Sequence, residues 1–260
     1  MLPDLFSIGP LTVHTYGVFV ALGCIAGILI AIRLGKPQGI TPQQVMDMGF
    51  IMILCGVIGS RLAYIFLNFS YYKNHILDIF KLWQGGLVFS GSLVAVIIAV
   101  SIYVKRHKLS IWTVGDIWAP AAALGQALGR IGCFMAGCCY GKPTDVFWGI
   151  TFSNPQSLAP LNTVIHPTQL YSSLSGIIIF TVTMILSTKK RFQGQVFLWF
   201  LILHSTGRLL IERFRGDDRG FILGSELTVT QLLTVLILFA SVAGLIILKN
   251  RYEKDVGGKQ

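Results

Sequence analysis

Charge is what this chain has least of. Only 12% of its 260 residues are charged, about half the fraction of a soluble domain. Also missing is any alternation of apolar and polar residues at the periods of half-buried helices or strands. The apolar residues come instead in long blocks, as they do where a surface faces lipid. These two absences exclude an ordinary soluble fold. The first twelve residues, MLPDLFSIGPLT, contain no basic residue. They lack the start of a cleaved signal peptide, so the first apolar segment is expected to remain as a helix. No C-terminal anchor motif, internal repeat or low-complexity run is found. No basic stretch carries interleaved aromatics or a recognition motif, so nucleic acid is not expected as a partner. The formal charge of +10 instead fits basic residues retained on the cytoplasmic side, near anionic lipid heads.

What is present is hydrophobicity, at 53% of residues. Roughly 20 apolar residues cross the hydrocarbon core, and segments of that kind lie near 13–33, 45–67, 87–104, 115–134, 168–188, 194–212 and 228–248. The last-but-two and last-but-one are joined so tightly, through Lys189-Lys190-Arg191, that they read as a helical hairpin. The expectation is an all-α, polytopic membrane protein of about seven transmembrane helices, with residues 1–260 forming one domain. The linkers after the first, third and fifth segments, with the C-terminal tail, hold 12 Lys and Arg; the opposite side holds six, and three lie within segments. The positive-inside rule then places the N-terminus outside and the C-terminus in the cytoplasm.

The three arginines within segments are Arg61, Arg130 and Arg208. A charge there costs at least about 2.5–3.5 kcal/mol, so each needs a reason. Arg61 lies about 9 Å before the end of its segment at 1.5 Å per residue, and the other two lie four residues before theirs. All three are therefore expected at one depth near the outer leaflet. His14, Tyr16, Ser90, His166, Gln169, Tyr171, Gln231 and Glu212 fall at the same level. A single arginine can snorkel to the head groups, but three beside histidines and glycines suggest a cationic pocket. Arginine's fixed fork matches phosphate oxygens and stays charged in a low dielectric, so the expected ligand is an anionic phospholipid head entering from the bilayer.

The segment Gly129-Arg130-Ile131-Gly132-Cys133-Phe134-Met135-Ala136-Gly137-Cys138-Cys139-Tyr140-Gly141 resembles the signature of the phosphatidylglycerol:prolipoprotein diacylglyceryl transferases, Gly-Arg-x-Gly-Asn-Phe-x-Asn-Gly-Glu-x-x-Gly. Six further blocks match in order: Ile8-Gly9-Pro10 leading to His14-x-Tyr16-Gly17, Gly59-x-Arg61-Leu62-x-Tyr64, Gly85-Gly86-Leu87-x-Phe89, Asp116-x-x-Ala119-Pro120, His166-Pro167-x-Gln169-Leu170-Tyr171 and Gly207-Arg208-x-x-x-Glu212-x-Phe214-Arg215. The resemblance implies an enzyme at the outer face of the bacterial inner membrane. Such enzymes take phosphatidylglycerol and prolipoprotein signal peptides, form a thioether at the lipobox cysteine and release glycerol phosphate. No metal or organic cofactor is implied. Arg130 and Arg208 would stabilise charge on the departing phosphate, Glu212 would orient an arginine, and Tyr16 would donate a hydrogen bond near the phosphate or thiol. Arg61, Gly86, Ser90, Gly132, Cys133, Gly137, Gly141, His166, Gln169 and His14 would line the substrate site, with Gly132, Gly137 and Gly141 letting backbone approach the lipid head.

Two departures bear on chemistry. The family often has histidine in Phe-His-Gly-Gly, where this chain reads Phe89-Ser90-Gly91-Ser92, and a serine hydroxyl cannot accept a proton at neutral pH as imidazole can. Either His14, His166, His204 or Glu212 replaces that base, or the cationic field activates the thiol; the field is the preferred reading. Cys133 and Cys138 stand at the signature's asparagine and glutamate, and with Cys139 form C-x4-C-C. Small packed residues, a disulfide and a catalytic thiol are open there, and zinc is disfavoured for want of a C-x2-C pair. Cys24 and Cys55 read as core packing. Asp116 reads as a helix-start residue. A catalytically silent lipid binder and a transporter are the competing classes, the latter weakened by the lack of paired halves.

Overall fold

The computed structural model describes residues 2–8, 11–81, 85–217 and 228–257. Gly9 and Pro10 of the first sequence block, Trp83 and Gln84 of a linker, and the basic residues Arg219 and Lys259 lie outside them. Seven helices of 18 or more residues occur among the described residues: α1 (Thr15–Gly35), α2 (Pro42–Leu67), α4 (Phe89–Arg106), α5 (Ile111–Ala136), α6 (Thr168–Lys189), α7 (Gln195–Glu212) and α8 (Val229–Gly257), with a single-turn α3 (Phe69–Tyr72) after α2. Five of them, α1, α2, α4, α6 and α8, are long and apolar enough to cross a membrane by composition alone. α5 and α7 are diluted by Asp116, Gln126 and Arg130, and by Gln195, His204, Arg208 and Glu212.

The chain divides into two compact units, residues 35–114 and residues 1–34 with 115–260. In the first, α2 begins with a capping box: Gln44 N donates to Thr41 Oγ1 (3.2 Å), and Thr41 N donates to Gln44 Oε1 (2.9 Å). Pro42 at the first helical position removes a donor that would have no partner. α2 and α4 cross where glycine faces glycine: a Cβ on Gly59 would meet Gly91 O at 2.6 Å and collide with Ala95. Small residues are what let two backbones come this close, and close approach drives helix association in lipid.

In the second unit α5 is the innermost helix, with Ile117, Ala119, Ala121, Ala123 and Ala127 at most 3% exposed. Its small residues admit neighbours on two sides. A Cβ on Gly23 of α1 would stand 3.0 Å from Gly125 O, and one on Gly176 of α6 would stand 3.1 Å from Ala123 O. Asp116 corrects the sequence reading. It lies in the second turn of α5, 2% exposed, and caps a different helix: Gly194 N and Phe197 N donate to its two carboxylate oxygens (2.9 and 3.0 Å), and Lys190 Nζ adds a third bond at 3.1 Å. It satisfies orphan donors at the start of α7 and joins the α6–α7 hairpin to α5.

At the opposite end of this unit two antiparallel β-ribbons appear that the helix-only reading did not include. Strands β1 (Asp4–Ile8) and β2 (Leu11–His14) lead into α1, and Thr15 N donates to Pro3 O (2.9 Å). Between α5 and α6, β3 (Ile150–Thr151) pairs with β4 (Val164–Ile165) over a small core of Phe152, Ala159 and Ile165, joined by Phe134, Tyr140 and Ile150.

Candidate active site

Three helices bring polar side chains to one pocket near the β-ribbon end. α5 contributes Gln126 and Arg130, α6 contributes Ser172 and Ser175, and α7 contributes His204, Arg208 and Ile211. The pocket follows from helical spacing: Gln126 and Arg130 are four apart, Ser172 and Ser175 three apart, and His204, Arg208 and Glu212 form an i, i+4, i+8 ladder along one face. Gln126 and the two serines are absent from the sequence-based site. Their signal was their occurrence, at helical intervals, inside apolar segments.

The two arginines differ in how they are held. Arg208 Nη2 lies 2.6 Å from Glu212 Oε2, with the side chains only 14% and 6% exposed, so the acid anchors this guanidinium. Arg130 makes no hydrogen bond or ion pair with another described residue, so its guanidinium remains available to an anion. Tyr16, in the first turn of α1, interacts electrostatically with Arg130 and with Cys133, Cys138 and Cys139. Gly132 sits where α1 crosses α5, and a Cβ there would stand 3.2 Å from Tyr16 Cα. The missing side chain makes room for a helix.

The end of α5 turns sharply. Gly137 (φ 77°) and Cys139 (φ 61°) are both left-handed, a conformation rare and strained for a non-glycine residue. The turn is pinned from α6: Thr168 Oγ1 donates to Cys139 O and Gln169 Nε2 to Cys138 O, both at 2.8 Å. Gln169 is 0% exposed, and its Oε1 has no hydrogen-bond partner among the described residues. All five cysteines are free thiols. The sulfurs of Cys133, Cys138 and Cys139 lie within 4.8 Å of one another. Hydrogen bonds from Cys133 and Cys138, then a hydrogen bond and the positive charge of Arg215, lower the Cys139 thiol pKa well below the usual range despite burial. Arg215 itself forks onto Asp217 at 2.8 and 2.7 Å.

His166 supports the same turn from outside. Its Nδ1 lies 3.2 Å from the Tyr171 hydroxyl, which accepts from Trp148 Nε1 at 2.6 Å, and its ring stands against Phe214. Gly141 is needed here because a Cβ would come within 2.6 Å of His166 Cβ. His14 occupies β2, one residue before α1, with Nδ1 2.6 Å from Asp4 Oδ1.

Arg61, Gly86 and Ser90 belong to the other unit. Arg61 is 5% exposed and donates to five carbonyls: Ile79 (3.0 Å), Gly85 (2.7 Å), Gly86 (3.3 Å), Asp78 (2.6 Å) and Lys81 (3.3 Å). It also lies over the rings of Tyr64 and Tyr72. Its donors organise the loop before α4. Gly86 is left-handed (φ 75°), with Tyr64 and Arg61 filling the space a side chain would need. Ser90 is exposed in the first turn of α4.

The sequence model of the family described as Prolipoprotein diacylglyceryl transferase matches residues 3–247. The chain is similar to the phosphatidylglycerol–prolipoprotein diacylglyceryl transferase of Clostridium tetani, 34% identical over 258 residues, covering 98% of this chain and all of the relative. Those of Geobacter sulfurreducens (36% over 237 residues, 89% of each chain) and Bordetella parapertussis (36% over 255 residues, 96% of this chain and 95% of the relative) are similarly close.

Proposed function

The chain belongs to the prolipoprotein diacylglyceryl transferase family, and from that premise we propose that it moves the diacylglyceryl group of phosphatidylglycerol onto the thiol of a lipobox cysteine. It is a multi-pass membrane protein. In this reading α5 and α7 also cross the bilayer, which makes seven spans with the N-terminus outside. The pocket then opens toward the outer leaflet of the bacterial inner membrane, where lipid and signal peptide meet.

In the reaction the cysteine sulfur attacks the glyceryl carbon that bears the phosphate ester. The sulfur–carbon bond forms, the carbon–oxygen bond breaks, and its electron pair leaves on glycerol phosphate. Arg130 and Arg208 hold the phosphate as this charge develops, Glu212 keeps Arg208 in place, and Tyr16 donates to the phosphate or the thiol. Fixed cations in a water-poor pocket stabilise such a transition state without reorganising. The observation that supports this assignment is the pair of arginines from α5 and α7 on one pocket, one clamped by Glu212 and the other unpartnered among the described residues.

The test is to incubate the purified protein with phosphatidylglycerol and a lipobox peptide and to weigh the peptide. The expected result is a diacylglyceryl mass gain that vanishes when the peptide cysteine becomes serine. No gain, beside an active relative, would leave a lipid binder without catalysis.

A further inference from the structure

Three thiols meet at the turn after α5, and nothing in the phosphate pocket accounts for them. Their sulfurs lie within 4.8 Å of one another. Thiolates at about 2.3 Å around a tetrahedral zinc stand roughly 3.8 Å apart, so small rotations of the three side chains would close the set. The backbone is already committed to the convergence. Cys139 is held in the left-handed region, and the carbonyls of Cys138 and Cys139 are fixed by Gln169 and Thr168. Strain of this kind gathers at ligand clamps. No histidine, fourth cysteine or carboxylate joins the cluster among the described residues. Three protein ligands with an open fourth position is the arrangement of catalytic rather than structural zinc. Thiolate ligands select zinc among the common divalent ions of the cell exterior, and Arg130 and Arg215, which interact electrostatically with Cys133 and Cys139, offset the residual negative charge.

We infer that Cys133, Cys138 and Cys139 bind one zinc ion whose open position takes the lipobox cysteine. This rests on the transferase reading. The transfer needs a thiolate, and Ser90 cannot take the thiol proton at neutral pH. A thiol that coordinates zinc loses its proton outright, here to water. The bound sulfur then attacks the glyceryl carbon, and the carbon–oxygen electron pair departs with the glycerol phosphate held by Arg130 and Arg208. The ion replaces a general base and is not consumed.

The experiment uses the full-length protein in detergent, kept reduced, equilibrated with zinc and dialysed, with metal measured by mass spectrometry. About one zinc per chain is expected, and less than about a tenth of that in Cys133→Ser and Cys139→Ser variants whose unfolding midpoints confirm that they fold. With cobalt in place of zinc, the thiolate absorption should shift when the cysteine lipobox peptide is added and stay unchanged with the serine peptide. Stripping zinc should lower transfer by about 100-fold, the typical worth of a general base, and zinc should restore it in the parent chain only. Absence of zinc, or a disulfide in its place, overturns the site. Zinc with a peptide-insensitive spectrum overturns the open position. A zinc-loaded chain that senses the peptide yet transfers nothing, beside an active relative, refutes the transferase reading and leaves the metal site standing.

Discussion

Replacing Arg61 and Arg130 separately by alanine should separate two roles that look identical in the sequence. Arg61 donates to five backbone carbonyls, three of them at 3.0 Å or less, and is almost wholly buried. At about 1.5 kcal/mol for a hydrogen bond to a charged group, those three bonds alone stabilise the loop before α4 by roughly 4–5 kcal/mol. The Arg61→Ala variant should therefore unfold about 10 °C or more below the parent. Arg61→Lys should not rescue it, because one ammonium cannot reach carbonyls on both sides of the loop. Arg130 has no hydrogen-bond or ion-pair partner among the described residues. Arg130→Ala should leave the midpoint within about 2 °C, since substitutions away from buried networks stay within about 0.5 kcal/mol. Transfer should fall by about 10²–10³, the worth of one preorganised charge-stabilising donor. Unfolding followed by intrinsic fluorescence in detergent, and transfer followed by peptide mass, give both readouts from one preparation. Full turnover in Arg130→Ala, or an unchanged midpoint in Arg61→Ala, would refute the reasoning.

Asp116→Ala should destabilise the protein by about 3–5 kcal/mol, because it leaves buried amide donors and the Lys190 ammonium uncompensated; thermal unfolding checks this. Gly59→Ala should cost about 1–3 kcal/mol by forcing α2 and α4 apart, whereas Gly129→Ala, whose added carbon meets nothing within 4 Å, should stabilise α5 by up to about 1 kcal/mol. Equal midpoints for those two variants would show that the close helix contact carries no weight. The Asp78 carboxyl is held below its usual pKa by Lys81 first and then by the Tyr71 hydroxyl. Its contribution is therefore present above the normal carboxylate range and lost as pH falls through the lowered value. Amides of residues 71–81 should lose protection in acid, measured against their intrinsic exchange rates at each pH, and Asp78→Asn should abolish that pH dependence.

Helices were legible in the sequence because lipid imposes a blunt requirement, about 20 apolar residues with every backbone group bonded internally. The expected segments agree with the long helices to within a few residues at most ends, and the largest difference is the C-terminal extension of α8 to Gly257. Arg130 and Arg208 were legible as special because a charge inside such a segment is costly. The side chains that share their pocket were less so: Gln126, Ser172 and Ser175 are only mildly polar, and polarity of that degree within a span is also common in plain helix packing. Asp116 misled because a carboxylate near a helix start usually caps its own helix, and here the orphan donors it meets belong to α7. The β3–β4 ribbon was illegible since two-residue strands carry no periodicity, and β1 and β2, at five and four residues, are too short for a clear one.

The sequence by itself determined a membrane protein, its helices and the family, because hydrophobic length and ordered motifs are one-dimensional properties. Tertiary structure alone decided what each charged or sulfur-bearing residue faces. It set Arg61 on five carbonyls and Arg130 on none among the described residues, and brought the three thiols together through the left-handed turn at Cys139. Such roles depend on which backbone donors and acceptors are left over once helices have packed, and that remainder is a property of the assembled bundle rather than of any stretch of chain.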